Sequence, residues 1–418
     1  MPDQNLHAVL RHSHEELVLQ VLQTRGPQTR AELASATGIS RTTVSDLAAA
    51  LLGRGEIVVA GGGAAKPTRR RGRPAERLAL NPAAGQLLGV DFGHQRVHAV
   101  IVDKAHDIVA SAGHPYDPDS GWTERVPVAF ALIQRLAEGD DVDLSALQGV
   151  GIGFPGPFSP GMPDPAAAEN SGGTASASKY VVHAFTERFH ARVILDNNTR
   201  FAGLAEAIWG GTADVRNILY ARLSHGVGGG LVVDGRLVTG AAGFAGELGH
   251  VSVRPDGRTC RCGKRGCLET IASLPAILAA CAEQGARLDG LEELASAAER
   301  GDPVVDRVLR TAGEAVGHVL GMVAMALDPE EIVLAGDIVH RAPALLAQAE
   351  TVIRWELLPI PEATPTIRAA SLGDEDGALG AVAALFHQSP LLDSYPDTVR
   401  TPALDVHPDN SNEESTAS

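Results

Sequence analysis

Two stretches of the chain begin in the same way, and this repetition limits the folds open to it. Short strands are predicted at 87–92, 97–102 and 108–112, and again at 218–223 and 230–233. In the second stretch, Asp234-Gly235 provides a good hairpin turn. Both stretches therefore open with a glycine-containing strand-turn-strand unit, an internal duplication that is consistent with two similar lobes around a cleft.

Helices and strands alternate through the rest of these two stretches. Helices are predicted at about 126–137, at about 179–190, in a segment ending at Trp209 and at 303–327, and further strands at 150–154, 193–196 and 332–334. We expect one lobe over 81–196 and a second over 197–387, whose C-terminal helix returns to the first lobe. The tail, 388–418, is rich in Ser, Pro, Asp and Asn and is predicted to be a disordered acidic segment.

Residues 1–80 are predicted to form a separate domain, an all-α winged helix-turn-helix. Three helices are expected at 17–25, 30–37 and 41–52, with a β-hairpin from the segments 56–60 and 76–80 around the loop 61–75. Thr29 and Ser40 are suitable N-caps for the second and third helices. An ordinary three-helix packing module is the alternative that the helices alone leave open.

The charge distribution favours DNA as the partner of this head. The whole chain has a net charge of −16, but residues 1–80 hold 11 Lys and Arg against 7 Asp and Glu. A basic head on an acidic body suits a DNA-binding module fused to a small-molecule domain. The cations of the wing loop suit contacts with phosphates and with a narrow minor groove. The alternative is a loop that is only solvated. These cations are Lys66, Arg69, Arg70, Arg71 and Arg73.

In a helix-turn-helix, the start of the third helix enters the major groove. Arg41 and Thr43 are the best candidates for contacts with the bases or phosphates of a double-stranded operator, and Thr42 and Ser45 are secondary candidates. Because such operators contain two half-sites, we expect a homodimer or homotetramer.

Three of the four cysteines, Cys260, Cys262 and Cys267, fall within eight residues. No apolar run reaches the roughly 18 to 20 residues of a membrane span, and no secretory signal is visible, so we expect a cytoplasmic protein without a membrane partner. In that compartment, crowded cysteines favour metal ligation over disulfides. The fourth, Cys281, lies in an apolar helix and is expected to be a packed thiol.

These motifs resemble those of the ROK family, named for repressors, open reading frames and sugar kinases. The resemblance spans about residues 15–386 and is most specific at Gly243-Phe-Ala-Gly-Glu-Leu-Gly-His250 and Cys260-Arg-Cys-Gly-Lys-Arg-Gly-Cys-Leu-Glu269. The first resembles the family's sugar-contacting Glu-x-Gly-His, and the second its zinc motif. The resemblance implies an α/β actin-like ATPase fold of two lobes, and the layout is similar to that of the family's xylose and N-acetylglucosamine repressors.

The resemblance also implies a metal site and a sugar site. Three thiolates and His250 would give a closed Cys3His set for Zn2+. The ion would be structural, because no coordination position stays open for water. A cluster of free cysteines is the alternative. Carboxylates and amides suit the paired hydrogen bonds of a sugar or sugar phosphate. The candidates are Asn170, Asn197, Asn198, Glu247, His250 and Glu269.

Three segments depart from the pattern of the family's kinases. The first phosphate loop, Asp-x-Gly-Gly-Thr-Lys in the family, is Asp91-Phe-Gly-His-Gln-Arg96, with a bulky His94 where backbone N–H groups would cradle phosphate. In the second loop, 224–230, His225 replaces a threonine. In the catalytic segment, Asn198 replaces the aspartate that would take the sugar hydroxyl proton. An amide cannot act as a general base near neutral pH, so we expect no kinase activity and no catalytic residues.

The sequence thus predicts a DNA-binding transcriptional repressor whose kinase-like domain senses a sugar or sugar phosphate without phosphorylating it. Two alternatives stay open. One is a regulator that is independent of any ligand or is controlled by a protein partner. The other is a bifunctional, ATP-dependent sugar kinase that also binds DNA.

Overall fold

The computed structural model of the chain describes residues 14–15, 17–19, 21–22, 25–60, 76–81, 85–103, 107–140, 142–156, 174–211, 215–360 and 364–387. Several predicted features lie outside these residues: Asn170, the tail 388–418, and the wing cations Lys66, Arg69, Arg70, Arg71 and Arg73. Within the described part of the chain, no helix is both long enough and apolar enough to cross a membrane.

Polar caps set the start of two helices in the head. The Arg30–Thr37 helix follows Thr29, whose hydroxyl accepts a hydrogen bond from the Glu32 amide, while the Glu32 carboxylate accepts one from the Thr29 amide at 2.7 Å. This is a capping box. The Arg41–Gly53 helix follows Ser40, which caps it through its hydroxyl. Both predicted caps are confirmed.

A small antiparallel sheet and an apolar core complete the head. Strands β1 (Gln28–Thr29), β2 (Ile57–Val59) and β3 (Arg77–Leu80) lie in the order β1-β3-β2, so the predicted hairpin is present. Strand β1 was not predicted, because two residues are too few for an alternating pattern. The buried core side chains are Val18, Leu22, Leu33, Val44, Leu47, Ala48, Leu51, Ile57 and Leu78.

The first five-stranded sheet of the body has the order β6-β5-β4-β7-β8. Its strands are β4 (Gln86–Phe92), β5 (Arg96–Asp103), β6 (Ile108–Pro115), β7 (Leu147–Phe154) and β8 (Arg192–Asn197). Strands β4, β5 and β6 form an antiparallel meander, whereas β7 and β8 continue parallel to β4. The helices Trp122–Gly139 and Thr174–Phe189 share an apolar core with this sheet.

The second five-stranded sheet repeats this topology, with the order β11-β10-β9-β12-β13. Its strands are β9 (Ile218–Leu223), β10 (Val227–Val233), β11 (Arg236–Leu237), β12 (Glu331–Ala335) and β13 (Thr366–Ala369). Again three strands form an antiparallel meander and two follow in parallel. The duplication predicted from the two glycine-containing units is therefore present in the fold.

Helices of the second half pack around this sheet, and the predicted long helix has the predicted bounds, Pro303–Leu327. Asp302 caps it by accepting hydrogen bonds from the amides of Val304 and Val305. The other helices are Glu269–Ala272, Leu274–Glu283, Leu291–Glu299, Asp337–Arg341 and Pro343–Glu356.

The helix predicted to run to Trp209 is interrupted. It is α-helical over Asn198–Ala205 and then forms a π-helical turn, Glu206–Gly210. The fully buried Glu206 carboxylate accepts hydrogen bonds from the amides of Ser371 and Leu372, both at 2.7 Å. These contacts come from a segment distant in the sequence, so helical periodicity could not reveal them.

The Asp376–His387 helix lies against the first sheet, far from its own position in sequence. Two strand glycines allow this close approach. A Cβ atom at Gly89 would lie 2.1 Å from the Ala378 carbonyl oxygen, and one at Gly151 would lie 2.3 Å from that of Ala381. Glycine is therefore required where the helix backbone touches the strands.

Candidate ligand cleft and metal centre

A cavity of about 330 Å³ lies between loops at the ends of the two sheets. Four of the predicted sugar-binding residues line it: Asn197, Asn198, Glu247 and His250. The other side chains and glycines that line it are Gly93, His94, Arg125, Pro155, Gly156, Thr199, Arg222, Ser224, His225, Gly226, Val227, Gly228, Gly229, Gly246 and Arg261.

The two asparagines hold the cleft together through their amides. Asn197 caps the Asn198–Ala205 helix, because its Oδ1 accepts hydrogen bonds from the amides of Thr199 (2.8 Å) and Arg200 (3.2 Å). Its Nδ2 donates to the Gly156 carbonyl at 2.7 Å. The next residue, Asn198, donates through Nδ2 to the Phe92 carbonyl at 3.3 Å, at the end of β4. Part of the hydrogen-bonding capacity assigned to a sugar is thus used by the protein itself.

The carboxylate nearest to Asn198 in sequence, Asp196, is engaged elsewhere. Arg200, which is 1% exposed, donates through Nε to Asp196 Oδ1 at 2.9 Å and through Nη1 to the Gly243 carbonyl at 2.6 Å. Asp196 is not among the residues that line the cavity. Arg200 therefore neutralises Asp196 and ties the end of β8 to the loop that leads to Glu247.

Glu247 and His250 form the part of the cleft wall that best suits hydroxyl groups. Glu247 Oε2 lies 4.0 Å from His250 Nε2. Burial raises the pKa of Glu247, and the cations of Arg200 and Arg261 oppose this rise. A carboxylate next to an imidazole offers acceptors and a donor to a polyol.

Glu269, another predicted sugar-binding residue, is covered by an arginine. Its Oε1 lies 2.9 Å from Arg261 Nε, and its Oε2 accepts hydrogen bonds from Arg261 Nη2 (3.1 Å) and from the Val227 amide (3.3 Å). Glu269 does not line the cavity, whereas Arg261 does. The carboxylate thus positions the arginine that faces the cleft.

The predicted metal ligands come together. The ligand atoms of His250, Cys260, Cys262 and Cys267 all lie within 4.8 Å of one another, so this cluster can hold a metal ion. His250 Nδ1 is 3.5 Å from Cys260 Sγ, and Cys262 Sγ is 3.6 Å from Cys267 Sγ. Metal–sulfur bonds of about 2.3 Å in a tetrahedron separate the sulfurs by roughly 3.8 Å, which is close to the second distance.

The cluster and the cleft share one imidazole. His250 turns Nδ1 towards Cys260 and Nε2 towards Glu247. Cys281 lies outside this cluster and is buried in the Leu274–Glu283 helix, in agreement with its prediction as a packed thiol.

In the same cleft, the two phosphate-type loops meet through their histidines. His94 follows β4 and His225 follows β9, and their ring centroids are 4.1 Å apart at an interplanar angle of 36°. Each residue was identified separately as a departure from the kinase pattern. Their contact was not predicted, because it depends on how the two sheets face each other.

A buried charge network lies beneath the first of these loops. Tyr220 Oη donates to Asp376 Oδ2 at 2.9 Å, and Arg222 forms a salt bridge with the same oxygen. Burial raises the pKa of the neighbouring Asp91 to about 7, while the Arg222 cation opposes the rise. Asp91 Oδ1 is buried and has no hydrogen-bond partner among the described residues. Its carboxyl group therefore titrates near neutral pH.

The sequence of the body settles the family. The model of the ROK family matches residues 87–389. The chain belongs to the ROK family. Its two sheets with repeated topology are the actin-like ROK fold.

ROK relatives of both kinds are similar to the chain. The xylose repressor of Bacillus spizizenii is 24% identical over 370 residues, which cover 88% of this chain and 93% of the relative. The glucokinase of Halalkalibacterium halodurans is 32% identical over 311 residues, which cover 70% and 92%. A solved ROK family transcriptional regulator, a homologue of E. coli MLC, shares the fold with a TM-score of 0.69 at 23% identity, covering 89% of this chain and 95% of that one.

The predicted DNA-contacting residues of this ROK protein lie at the start of the Arg41–Gly53 helix. Arg41, Thr42 and Ser45 are exposed, whereas Thr43 is half-buried and its hydroxyl lies 2.8 Å from the Ser40 hydroxyl. The Ser45 hydroxyl donates to the Arg41 carbonyl at 2.9 Å. Arg41 and Thr42 thus keep the side chains most available to a partner.

Sequence reasoning missed the arginines of the cleft. Arg125, Arg222 and Arg261 line it, and Arg200 lies behind it, yet only Arg200 and Arg261 fall inside predicted motifs, and neither was assigned a role in the cleft. Arg200 carried a usable signal, since it occupies the last position of the altered catalytic segment. Arg125 gave none, because it lies on a helix whose pattern indicates only packing.

Proposed function

We propose that this ROK protein is a transcriptional repressor whose head binds operator DNA and whose cleft binds a sugar or sugar phosphate without phosphorylating it. The observation that carries the proposal is the share of the chain that matches the xylose repressor, 88%. An alignment of 370 residues is longer than the family domain at residues 87–389, so it extends into the head or its junction with the body. The alignment with the glucokinase covers only 70% of this chain.

The head supports DNA as the partner. Arg41 and Thr42 are exposed at the start of the third helix, where a helix-turn-helix contacts the major groove. The loop 61–75, which carries five predicted DNA-contacting cations, joins the paired strands β2 and β3. Arginines on such a hairpin suit the phosphates or the minor groove beside the recognition helix.

The cleft supports ligand binding without catalysis. Glu247 and His250 remain available to hydroxyl groups, but Asn198 cannot accept a proton and Asp196 is held by Arg200. The rings of His94 and His225 contact each other between the two loops that a kinase uses for phosphates, where the kinase pattern has a glycine and a threonine. These features favour a sensor over a kinase.

We assign Zn2+ to the Cys3His cluster as a structural ion. Three thiolates and one imidazole satisfy tetrahedral zinc and leave no position for a reactive water. His250 would be held by the ion on one side and would face the ligand on the other. The ion's contribution is therefore to fix the orientation of His250 in the cleft wall.

Repression would respond to the ligand through the two lobes. A ligand releases the protein from DNA only when it binds the non-DNA conformation more tightly, since differential affinity alone shifts the equilibrium. In a cytoplasmic homodimer or homotetramer, movement of the lobes would change the spacing of the heads and hence their fit to two half-sites.

A gel-shift titration tests the proposal. The full chain is mixed with DNA from its own upstream region and titrated with sugars and sugar phosphates; we expect a specific complex that one ligand dissociates. Arg41→Ala should weaken the complex by about 1 to 3 kcal/mol, whereas Arg310→Ala, which removes an exposed arginine paired with Asp306, serves as the matched control. A chain that gives no complex, or an Arg41→Ala variant that binds like the control, would contradict the proposed role of the head.

Two other outcomes identify the alternatives. A complex that no sugar or sugar phosphate dissociates, in a protein that none of them stabilises against heat, favours a regulator controlled by a protein partner or by no ligand. The 32% identity to a glucokinase is the reason to test the kinase as well. ATP-dependent phosphorylation of a hexose, well above that of a Glu247→Ala variant, would favour a bifunctional kinase.

A further inference from the structure

Positive and imidazole side chains dominate the lining of the cleft. Three arginines and three histidines face it, against a single carboxylate, Glu247, among the described residues that line it. Arg222 is paired with Asp376, and Arg261 with Glu269. In the described part of the chain, no carboxylate forms an ion pair with the third arginine, Arg125.

Arg125 is nevertheless held firmly in place. Its Nε donates to the Ser120 carbonyl at 3.0 Å and its Nη2 to the Pro118 carbonyl at 2.6 Å. Its guanidinium carbon lies 4.7 Å from the centre of the Tyr116 ring and 5.4 Å from that of Trp122. A cation fixed by neutral partners keeps its full charge for a further group that enters the cleft.

The two histidines lie near this cation. Arg125 acts electrostatically on His94, whose ring contacts that of His225. Each imidazole offers a ring N–H donor, and together with the guanidinium they form a set of donors that suits an oxyanion. A neutral sugar alone would enter this set without compensating the positive charge.

We propose that Arg125, His94 and His225 bind the anionic group, a phosphate or a carboxylate, of a sugar effector. The proposal deepens the proposed function and rests on it, because it names the ligand class of the same cleft. The hydroxyl groups of the sugar then face Glu247 and His250.

The charges and burial around the two rings predict how anion binding depends on pH. Burial lowers the pKa of both imidazoles; Arg125 lowers that of His94 further, and His94 lowers that of His225. Asp119 and Asp337 act in the opposite direction on His94 and His225, respectively. An anion beside the rings favours their protonated forms, so it binds more tightly as the pH falls.

Equilibrium dialysis of the full chain with radiolabelled inorganic phosphate tests the proposal. We expect saturable binding that weakens about ten-fold or more in Arg125→Gln and in His225→Gln, as expected when a hydrogen bond to a charged group is lost. Arg125→Lys should retain most of the binding because it keeps the charge, and Arg310→Gln should bind like the unaltered chain. The two glutamine variants are independent, so misfolding of one leaves the other as a test.

Competition identifies the source of the anion. Glucose 6-phosphate displacing the label better than glucuronate indicates a phosphate ester, and the reverse order indicates a sugar acid; either order supports the proposal. The proposal is overturned if the unaltered chain shows no saturable binding, or if the two glutamine variants bind phosphate as well as the unaltered chain. It is also overturned if glucose or ATP displaces the label as well as the anionic sugars do. The dialysis assay contains no DNA. A protein that binds phosphate but gives no gel shift would therefore contradict the proposed repressor function and leave the anion-binding proposal in place.

Discussion

The metal-binding loop and the two phosphate-type loops line one cleft but keep different amounts of the ROK pattern. The loop around Cys260 and Cys267 retains every donor, and its ligand atoms converge. The other two loops have gained His94 and His225, which meet across the cleft. The metal-binding loop thus keeps the family's motif, whereas the two phosphate-type loops depart from the pattern of the family's kinases.

The largest effect on ligand affinity is expected at the metal-binding loop. Cys262→Ser should lower zinc affinity by about 100-fold or more, because one of four ligands is lost and the cleft side of His250 loses its anchor. Cys262 is exposed, so this change tests ligation rather than packing. Bound zinc is measured after dialysis against a chelator, with Cys281→Ala as the control; equal zinc retention in both variants would remove the metal from the comparison.

The largest effect on stability is expected for the clamp formed by Arg200, which ties Asp196 at the end of β8 to the loop that leads to Glu247. Arg200→Ala should lower the free energy of unfolding by about 3 to 5 kcal/mol, because it leaves Asp196 without its partner in a largely buried position. Arg310→Ala removes an exposed pair and should cost about 0.5 kcal/mol or less. Chemical denaturation followed by circular dichroism measures both, and similar losses would show that the clamp adds nothing to the cleft.

Asp91→Asn should reveal how much the buried Asp91 carboxylate, beneath the loop that carries His94, lowers the free energy of unfolding. The folded chain holds this proton up to a pH of about 7, whereas an unfolded Asp releases it near 3.8, so the wild-type stability falls as the pH rises between these values. The asparagine stays neutral. The free energy of unfolding of the variant minus that of the wild type should therefore be about 1 to 3 kcal/mol larger at pH 8 than at pH 4.

Denaturation of both proteins at several pH values checks this expectation. A difference that stays constant with pH would mean that Asp91 is ionised throughout. The network around Arg222 and Asp376 would then compensate its charge more fully than burial penalises it.

The smallest expected effect is the most direct test of the comparison. Asn198→Asp restores the carboxylate of the kinase pattern, yet we expect ATP-dependent glucose phosphorylation to stay at background, because His94 and His225 still stand where the kinase pattern has a glycine and a threonine. A coupled assay for ADP measures it, and the same protein carrying Glu247→Ala defines the background. Turnover by Asn198→Asp alone would mean that one side chain, rather than the loops, had ended catalysis.

Local signals in the sequence predicted much of the fold. The Pro303–Leu327 helix has an apolar face and a capping aspartate, and Thr29 and Ser40 are caps whose chemistry acts within three residues. The metal cluster was also predictable, because thiols have few other reasons to crowd.

Contacts that join distant segments could not be predicted in this way. Arg200 reaches a carbonyl 43 residues away, and the π-helical turn depends on a segment about 165 residues further on. The contact of the two histidines and the position of Arg125, which no carboxylate of the described residues pairs, likewise depend on how separate elements pack. Periodicity and propensity carry no information about such contacts, which is why most of the sugar-binding candidates could be placed in the cleft from the sequence while its arginines and the histidine contact could not.

The Asp376–His387 helix has a consequence for how the protein is made. The first sheet is complete at β8, but the helix that covers its face leaves the ribosome only after the whole second sheet has been synthesised. Until then Val100, Val102 and the strand glycines lack the part of their cover that this helix provides. The first lobe is therefore without this helix for nearly half of translation, as an incompletely covered intermediate of the kind that is prone to aggregate.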